Sequence, residues 1–471
     1  MELHPFLEGD QRPSPRWWYV LSTTGDSPSM RVGHSATFVP GESVGESGRV
    51  FIIGGANPSQ VFDEVWTLDL TTRAWDTVEC PGFRGRYEHA AFRVGNHSTK
   101  IFIFGGATQE GCLNDVQSMD VSTGTWVDVE VSGTPPAPRT HRSAAVVGSK
   151  VYFFSGGHCG SEPVADRSVH CLDTETWAWT ALTPKGNAPK ARHGHLMVAA
   201  TAAQPCQTAS NAERTCKPSS DDRVRPSTKK DSRNGVSAEG SGSGSSSARI
   251  YVHGGMSGAT FFDDLHVLDV ERCTWSLVRK KRTSPSPRAA HDGLIHNNQL
   301  VIFGGMSQEK ALDDAHQFNP EGNSWTKLEF DGPAPPNRLD FAMCAIQLSV
   351  PAMSAASMSD AQLELTGASS STKEVLEREL KPGSASSRDS FSDSASVDEA
   401  LFTLDKGDTT QEQGQKANHN HSAILLSREA THPTEEEQEA SYENIDLLFI
   451  HGGMDTEGEI FDDTLVLALT S

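Results

Sequence analysis

Six pairs of adjacent glycines, each following an apolar run, divide this chain into similar units. The pairs are Gly54-Gly55, Gly105-Gly106, Gly156-Gly157, Gly254-Gly255, Gly304-Gly305 and Gly452-Gly453. Where no insertion intervenes, successive pairs lie about 50 residues apart. A repeat of this period constrains the fold more than any single motif, because each unit must bury its apolar side chains against its neighbours.

Each unit predicts four short strands, which we name a to d. In the first unit Arg31 and His34 precede strand a, residues 50–53 form strand b before the glycine pair, Asp69 ends strand c and Trp75 lies in strand d. The runs are β-branched or aromatic and are bounded by Gly, Pro, Asn and Asp, which is typical of strands. Besides Trp17 or Trp18, the tryptophans expected in strand d as core anchors are Trp75, Trp126, Trp177, Trp275 and Trp325.

Four-stranded units at this spacing predict an all-β fold, a six-bladed β-propeller spanning residues 16–471. The expected repeats are 31–80, 86–131, 139–182, 192–279, 288–330 and 338–469. The sixth repeat ends without its tryptophan strand, whereas residues 16–22 carry an unassigned one. We therefore expect this N-terminal segment to close the ring as strand d of the sixth blade, which removes the open sheet edges.

Two insertions interrupt the repeats between strands a and b. Residues 201–248 are rich in Gly and Ser, and residues 351–445 hold 18 acidic against 7 basic residues. Their composition cannot bury enough apolar area to order the chain, so both are predicted to be disordered. Ser390 and Ser396 each precede an acidic residue by three positions and are candidate phosphorylation sites.

The strand order places the a-to-b and c-to-d turns on one face and the b-to-c and d-to-a turns on the other. Both insertions then lie on the first face and leave the second face clear. The b-to-c turns differ from unit to unit, as expected of binding loops on a rigid scaffold. The predicted partner-binding residues on this face are Asn57, Gln60, Arg84, Tyr87, Glu110, Met256, Met306, Lys310 and Glu457.

Charge and motif spacing disfavour several other functions. The net charge of −22 argues against nucleic-acid binding and against attraction to anionic lipid. The arginine before each strand a and the histidines at 34, 89, 141, 195 and 291 recur blade by blade, so we interpret them as structural. No cofactor, metal site or catalytic constellation is predicted, and we expect a non-enzymatic interaction protein.

The Gly-Gly, Asp and Trp spacing resembles the kelch repeat, and the resemblance covers the chain outside the insertions. Segments such as Arg31–His34, Arg192–His195 and residues 452–460 are similar to kelch proteins that act as effectors of late-endosomal Rab GTPases. This resemblance implies a monomer that binds the GTP-bound late-endosomal Rab and serves endosome to trans-Golgi transport. It also implies a cytoplasmic protein that reaches endosomal membranes through its partners.

A second interpretation is a kelch adaptor that delivers substrates to a ubiquitin ligase. Such adaptors usually carry a helical assembly domain before the propeller, and about 15 residues precede Arg16 in this sequence. The first interpretation is therefore preferred.

Overall fold

The computed structural model describes residues 4–9, 11–158, 162–200, 248–352 and 441–469. These residues form an all-β propeller of six blades, as the repeat predicted. In each blade the four main strands pair antiparallel in the order a, b, c, d. The six a strands surround a central channel, so strand d lies at the outer edge of each blade.

The strands follow the repeat closely. The N-terminal segment supplies β1 (Phe6–Leu7) and β2 (Trp18–Leu21). Blade 1 contains β3 (Ser35–Val39), β4 (Arg49–Ile53), β5 (Ala56–Asn57), β6 (Gln60–Val61), β7 (Val65–Asp69) and β8 (Ala74–Val78). Blade 2 contains β9 (Ala90–Phe92), a 3-10 helix (Gly95–His97), β10 (Lys100–Phe104), β11 (Ala107–Thr108), β12 (Gly111–Cys112), β13 (Val116–Asp120) and β14 (Trp126–Asp128).

The other four blades have the same plan. Blade 3 contains β15 (Ser132–Gly133), β16 (Ala145–Val147), β17 (Lys150–Phe154), β18 (Val169–Asp173) and β19 (Ala178–Leu182). Blade 4 contains β20 (Lys185–Gly186), β21 (Leu196–Ala200), β22 (Arg249–His253), β23 (Met256–Ser257), β24 (Thr260–Phe261), β25 (Leu265–Asp269) and β26 (Thr274–Leu277). Blade 5 contains β27 (Asp292–His296), β28 (Gln299–Phe303), β29 (Ala315–Asn319) and β30 (Ser324–Lys327). Blade 6 contains β31 (Ala342–Pro351), β32 (Tyr442–His451) and β33 (Thr464–Ala468).

The N-terminal segment closes the ring, which confirms the prediction. Strand β2 pairs antiparallel with β33, and Trp18 lies opposite Leu467. The sequence did not predict β1, which adds a fifth strand parallel to β2. Strands β15 and β20 pair in the same way with β19 and β26, so short outer strands cover the edges of blades 3 and 4 as well.

The apolar core is divided among the six interfaces between blades. Each interface holds its own cluster of buried side chains, and each cluster includes one tryptophan of strand d. In blade 3 this residue is Trp179, opposite Leu172, and the prediction of Trp177 was wrong. Trp177 precedes β19 in a left-handed conformation (φ 51°). Two tryptophans stand two positions apart here, so the repeat spacing alone chose the wrong one.

The glycine pair of blade 3 is also displaced by one residue. Ser155 and Gly156 occupy the positions of Gly54 and Gly55, with φ of 56° and 110°. These left-handed conformations favour glycine. Aligning blade 3 on Gly156-Gly157 was therefore wrong by one position, because a serine adopts the first conformation in this blade.

Both insertions leave from strand a and return to strand b, in blades 4 and 6. Strands β31 and β32 pair along ten residues each. They include Pro351 and residues 442–445, which the predicted boundaries assigned to the insertion. Residues 201–247 and 353–440, with Ser390 and Ser396, lie outside the described residues. Within the described ranges, no helix is long and apolar enough to cross a membrane.

Candidate functional site

An arginine ring lies beneath the face formed by the b-to-c and d-to-a turns. Its six side chains are fully buried, and each donates a hydrogen bond of 2.7–3.1 Å to the backbone carbonyl of the residue directly after strand b in its own blade. The ring residues are Arg31, Arg86, Arg139, Arg192, Arg288 and Arg338. This repeated contact fixes the start of each strand a against the end of strand b.

Each ring arginine also faces a carboxylate before strand c. Arg192 lies 2.5 Å from Asp264, and Arg288 lies 2.7 Å from Asp314. Burial raises the pKa of both aspartates, but hydrogen bonds bring it well below the usual range. The donors are His266 and Arg192 for Asp264, and His316 and Arg288 for Asp314. Both carboxylates are therefore ionised at neutral pH, and the ring is charge-paired.

The same arginines join neighbouring blades through their backbones. The second residue of each pair donates its N–H to the carbonyl of the next blade's arginine, for example Gly55 to Arg86 at 2.9 Å. The series closes with Gly453 donating to Arg31 at 3.1 Å. These contacts within and between blades confirm that the arginines have the structural role predicted from their repetition.

The histidines beside the ring are buried and structural. His34 contacts the carbonyl of His451 at 3.1 Å, and His141 contacts that of Phe154 at 2.9 Å. Burial lowers the pKa of His141 to about 4, so its imidazole is neutral at physiological pH. In the described part of the chain, no group of three or more His, Cys, Asp or Glu side chains could hold a metal ion.

The central channel contains charged residues that the sequence analysis missed. Arg142 of blade 3 crosses it to form an ion pair with Asp340 of blade 6 and donates to the carbonyl of Phe341 at 2.8 Å. The surrounding cavity has a volume of about 160 Å³. Burial and the nearby charge of Asp340 together raise the pKa of Glu88 to about 7. The shortened spacing between Arg139 and His141 was the available signal, because it puts Arg142 three positions after the ring arginine, where blades 1, 2, 4 and 5 have a histidine.

The b-to-c turns share a backbone frame but differ in side chains. In every blade the first residue of the turn forms a two-way bridge with the residue after the ring arginine, as Ala56 does with Val32 at 2.9 Å in both directions. The first residues, in blade order, are Ala56, Ala107, Gly157, Met256, Met306 and Met454. The turns therefore present different side chains from equivalent, fixed positions.

The predicted partner-binding residues lie on turns of this face in every blade except blade 3. Five lie on blades 1 and 2 (Asn57, Gln60, Arg84, Tyr87 and Glu110), and four lie on blades 4 to 6 (Met256, Met306, Lys310 and Glu457). Arg84 is held by ion pairs with Asp115 and with Asp128, the latter at 2.8 Å. The Asn57 carboxamide accepts N–H groups of its own turn at 2.9 and 3.0 Å. The polar groups of Asn57 and Arg84 are thus already engaged.

Comparison with known proteins agrees with the repeat geometry. The KLHDC2/KLHL20/DRC7 Kelch-repeats domain matches residues 43–206 and 224–351. The chain belongs to the kelch-repeat family.

Several relatives of this kelch chain extend over most or much of its length. It is 32% identical to the mouse Rab9 effector protein with kelch motifs over 99% of this chain and 97% of the relative. The rat protein of that name is 33% identical over 99% of both chains. The human protein is 36% identical over 56% of this chain and 59% of its own length.

Proposed function

We propose that this protein is a non-catalytic kelch effector of a Rab GTPase. The observation that carries the proposal is its similarity, over nearly the whole length, to two relatives named as Rab9 effectors. The fold is compatible with this role, because a rigid ring presents turns that vary from blade to blade. The partner is the GTP-bound form of a late-endosomal Rab, and the process served is endosome to trans-Golgi transport.

Binding through the face of the b-to-c turns is part of this proposal. The a-to-b connections of blades 4 and 6 carry 47 and 88 residues, respectively, that lie outside the described ranges, and these start from the opposite face. The effector acts as a monomer in the cytoplasm and reaches endosomal membranes through its partner.

A nucleotide-dependent binding measurement tests the proposal. Purified protein is titrated with Rab9 loaded with a non-hydrolysable GTP analogue, and with the same GTPase loaded with GDP. We expect saturable binding to the GTP-analogue form that is at least tenfold tighter than to the GDP form. Equal affinity for the two forms, or no binding to either, would contradict the proposed function.

A further inference from the structure

Three methionines occupy equivalent positions on consecutive blades. Met256, Met306 and Met454 each follow the glycine pair, and each is held by a two-way backbone bridge of 2.8–3.0 Å. Their side chains are half-buried, whereas the equivalent Ala56 and Ala107 of blades 1 and 2 are only 1% and 2% exposed. Blades 4 to 6 thus each present a partly exposed methionine at the same turn position, and we call the three the methionine arc.

Acidic side chains, which we call the acidic border, follow the methionines of blades 5 and 6, whereas the only acidic residue of the equivalent blade 4 turn, Asp263, is paired with Lys280. Residues 306–313 and 454–462 hold six acidic side chains and one lysine, whereas the equivalent residues 56–63 and 107–114 hold two acidic side chains and no basic one. The six are Glu309, Asp313, Asp455, Glu457, Glu459 and Asp462. None of them forms an ion pair with another described residue, and all except Asp455 are exposed.

The blade 6 turn is ordered by its own hydrogen bonds. One carboxylate oxygen of Asp455 accepts the N–H groups of Glu457 and Glu459 at 2.8 and 2.9 Å. Asp455 therefore fixes the turn backbone, while the two glutamate side chains remain exposed. A fixed acidic border beside an adaptable thioether surface suits a protein partner, because unbranched methionines adjust to the apolar groups they meet.

We propose that the methionine arc and its acidic border form the surface on which the GTPase docks. This inference rests on the proposed function and narrows its predicted surface to blades 4–6. The partner contributes an apolar patch flanked by Lys or Arg side chains. Charge complementarity selects this occupant, since the border carries unpaired carboxylates, and it predicts association that weakens as salt is raised.

The test uses the full chain and Rab9 loaded with a non-hydrolysable GTP analogue. The arc variant combines Met256→Ser, Met306→Ser and Met454→Ser, and the border variant combines Glu457→Lys and Glu459→Lys. The matched control combines Ser59→Ala and Gln109→Ser, which are exposed residues on turns of blades 1 and 2 and lie outside the predicted partner-binding set. We expect at least tenfold weaker binding for the arc and border variants, and less than twofold change for the control.

The outcomes separate the two proposals. If the unmodified protein does not bind, the proposed function fails. If it binds and both variants retain its affinity, or if the control alone loses affinity, the docking surface is wrong while the proposed function stands. Should the arc variant unfold, the border variant decides, because its two substitutions lie on an exposed turn and the melting temperature reports whether folding is unchanged.

Discussion

The arginine ring and the b-to-c turns lie on the same face. The arginines are the same in all six blades, whereas the side chains of the turns differ from blade to blade. All six ring arginines are fully buried and donate to the same carbonyl position. The turns keep one backbone bridge per blade while their first side chain changes from Ala56 to Met454. Repetition therefore marks what holds the propeller together, and variation on a fixed frame marks where a partner can be distinguished.

One of the two largest effects is expected from the ring. Arg192→Ala leaves the half-buried Asp264 without its guanidinium partner and removes the 2.7 Å bond to Gly254. Breaking a buried ion pair in this way costs about 3–5 kcal/mol of the free energy of unfolding. Urea unfolding followed by tryptophan fluorescence measures the change.

Arg139→Ala provides the matched control. Arg139 lies 3.6 Å from Asp166, and its Nη2 has no hydrogen-bond partner among the described residues. We therefore expect a smaller loss of unfolding free energy than for Arg192→Ala. An equal or larger loss for Arg139→Ala would show that the carbonyl bond, which both arginines make, determines the cost instead of the ion pair.

The closure strand should behave like the ring, because it repeats the geometry of the other d strands. Deleting residues 1–22 removes the buried Trp18 and exposes the edge of β33. The loss of one large core side chain alone costs about 3–5 kcal/mol, and the open edge favours aggregation. Thermal unfolding with light scattering measures both effects, and an unchanged melting temperature would contradict closure by this strand.

The repeat predicted the blade count and the arginine contacts because the same residues recur in every unit. It predicted the closing strand because the sixth unit lacks a tryptophan strand and the N-terminal segment has an unassigned one. It failed where blade 3 departs from the series. Ser155 replaces a glycine, Trp179 replaces the expected tryptophan and Arg142 enters the channel. The channel ion pair joins blades 3 and 6 across about 200 residues of sequence, so no local pattern contained it.

The proposed docking surface depends on features that the sequence shows less clearly than it shows the frame. Sequence variation identified the turns, but it did not show that Arg84 is paired with Asp128 or that Asn57 is bonded within its own turn. These contacts depend on side-chain positions in the folded protein. The burial difference between Ala56 and Met256 depends likewise on the packing around each turn.

Glu88 is a charged residue at a position of the repeated frame where other blades have glycine. It occupies the position of Gly33 and Gly194, and burial with the charge of Asp340 raises its pKa from 4.5 to about 7. Ionisation of Glu88 thus opposes folding, so stability from this residue is lost as pH rises from about 4.5 to about 7. Glu88→Gln should raise the unfolding free energy by about 1–3 kcal/mol at pH 8 and leave it nearly unchanged at pH 4.5.

Urea unfolding at the two pH values measures the Glu88 effect, with Glu110→Gln as an exposed control in the same blade. The control should show no pH-dependent difference from the unmodified protein. A Glu88→Gln variant that is less stable at pH 8 would mean that the charge is favourable, through Arg142, and that the sign of the pKa shift is wrong.

The smallest effect is expected in a turn of blade 1. Asn57→Ala removes the acceptor of two N–H groups, those of Ser59 and Gln60, on an exposed hairpin. Water replaces the lost acceptor at the surface, so we expect a loss of about 0.5–1 kcal/mol of unfolding free energy. Gln60→Ala on the same hairpin should change it by less than about 0.5 kcal/mol. Urea unfolding measures both variants, and GTPase titration should find their affinity unchanged if docking uses blades 4 to 6. A loss for Asn57→Ala as large as that for Arg192→Ala would break the comparison, because the turns would then support the frame as strongly as the ring does.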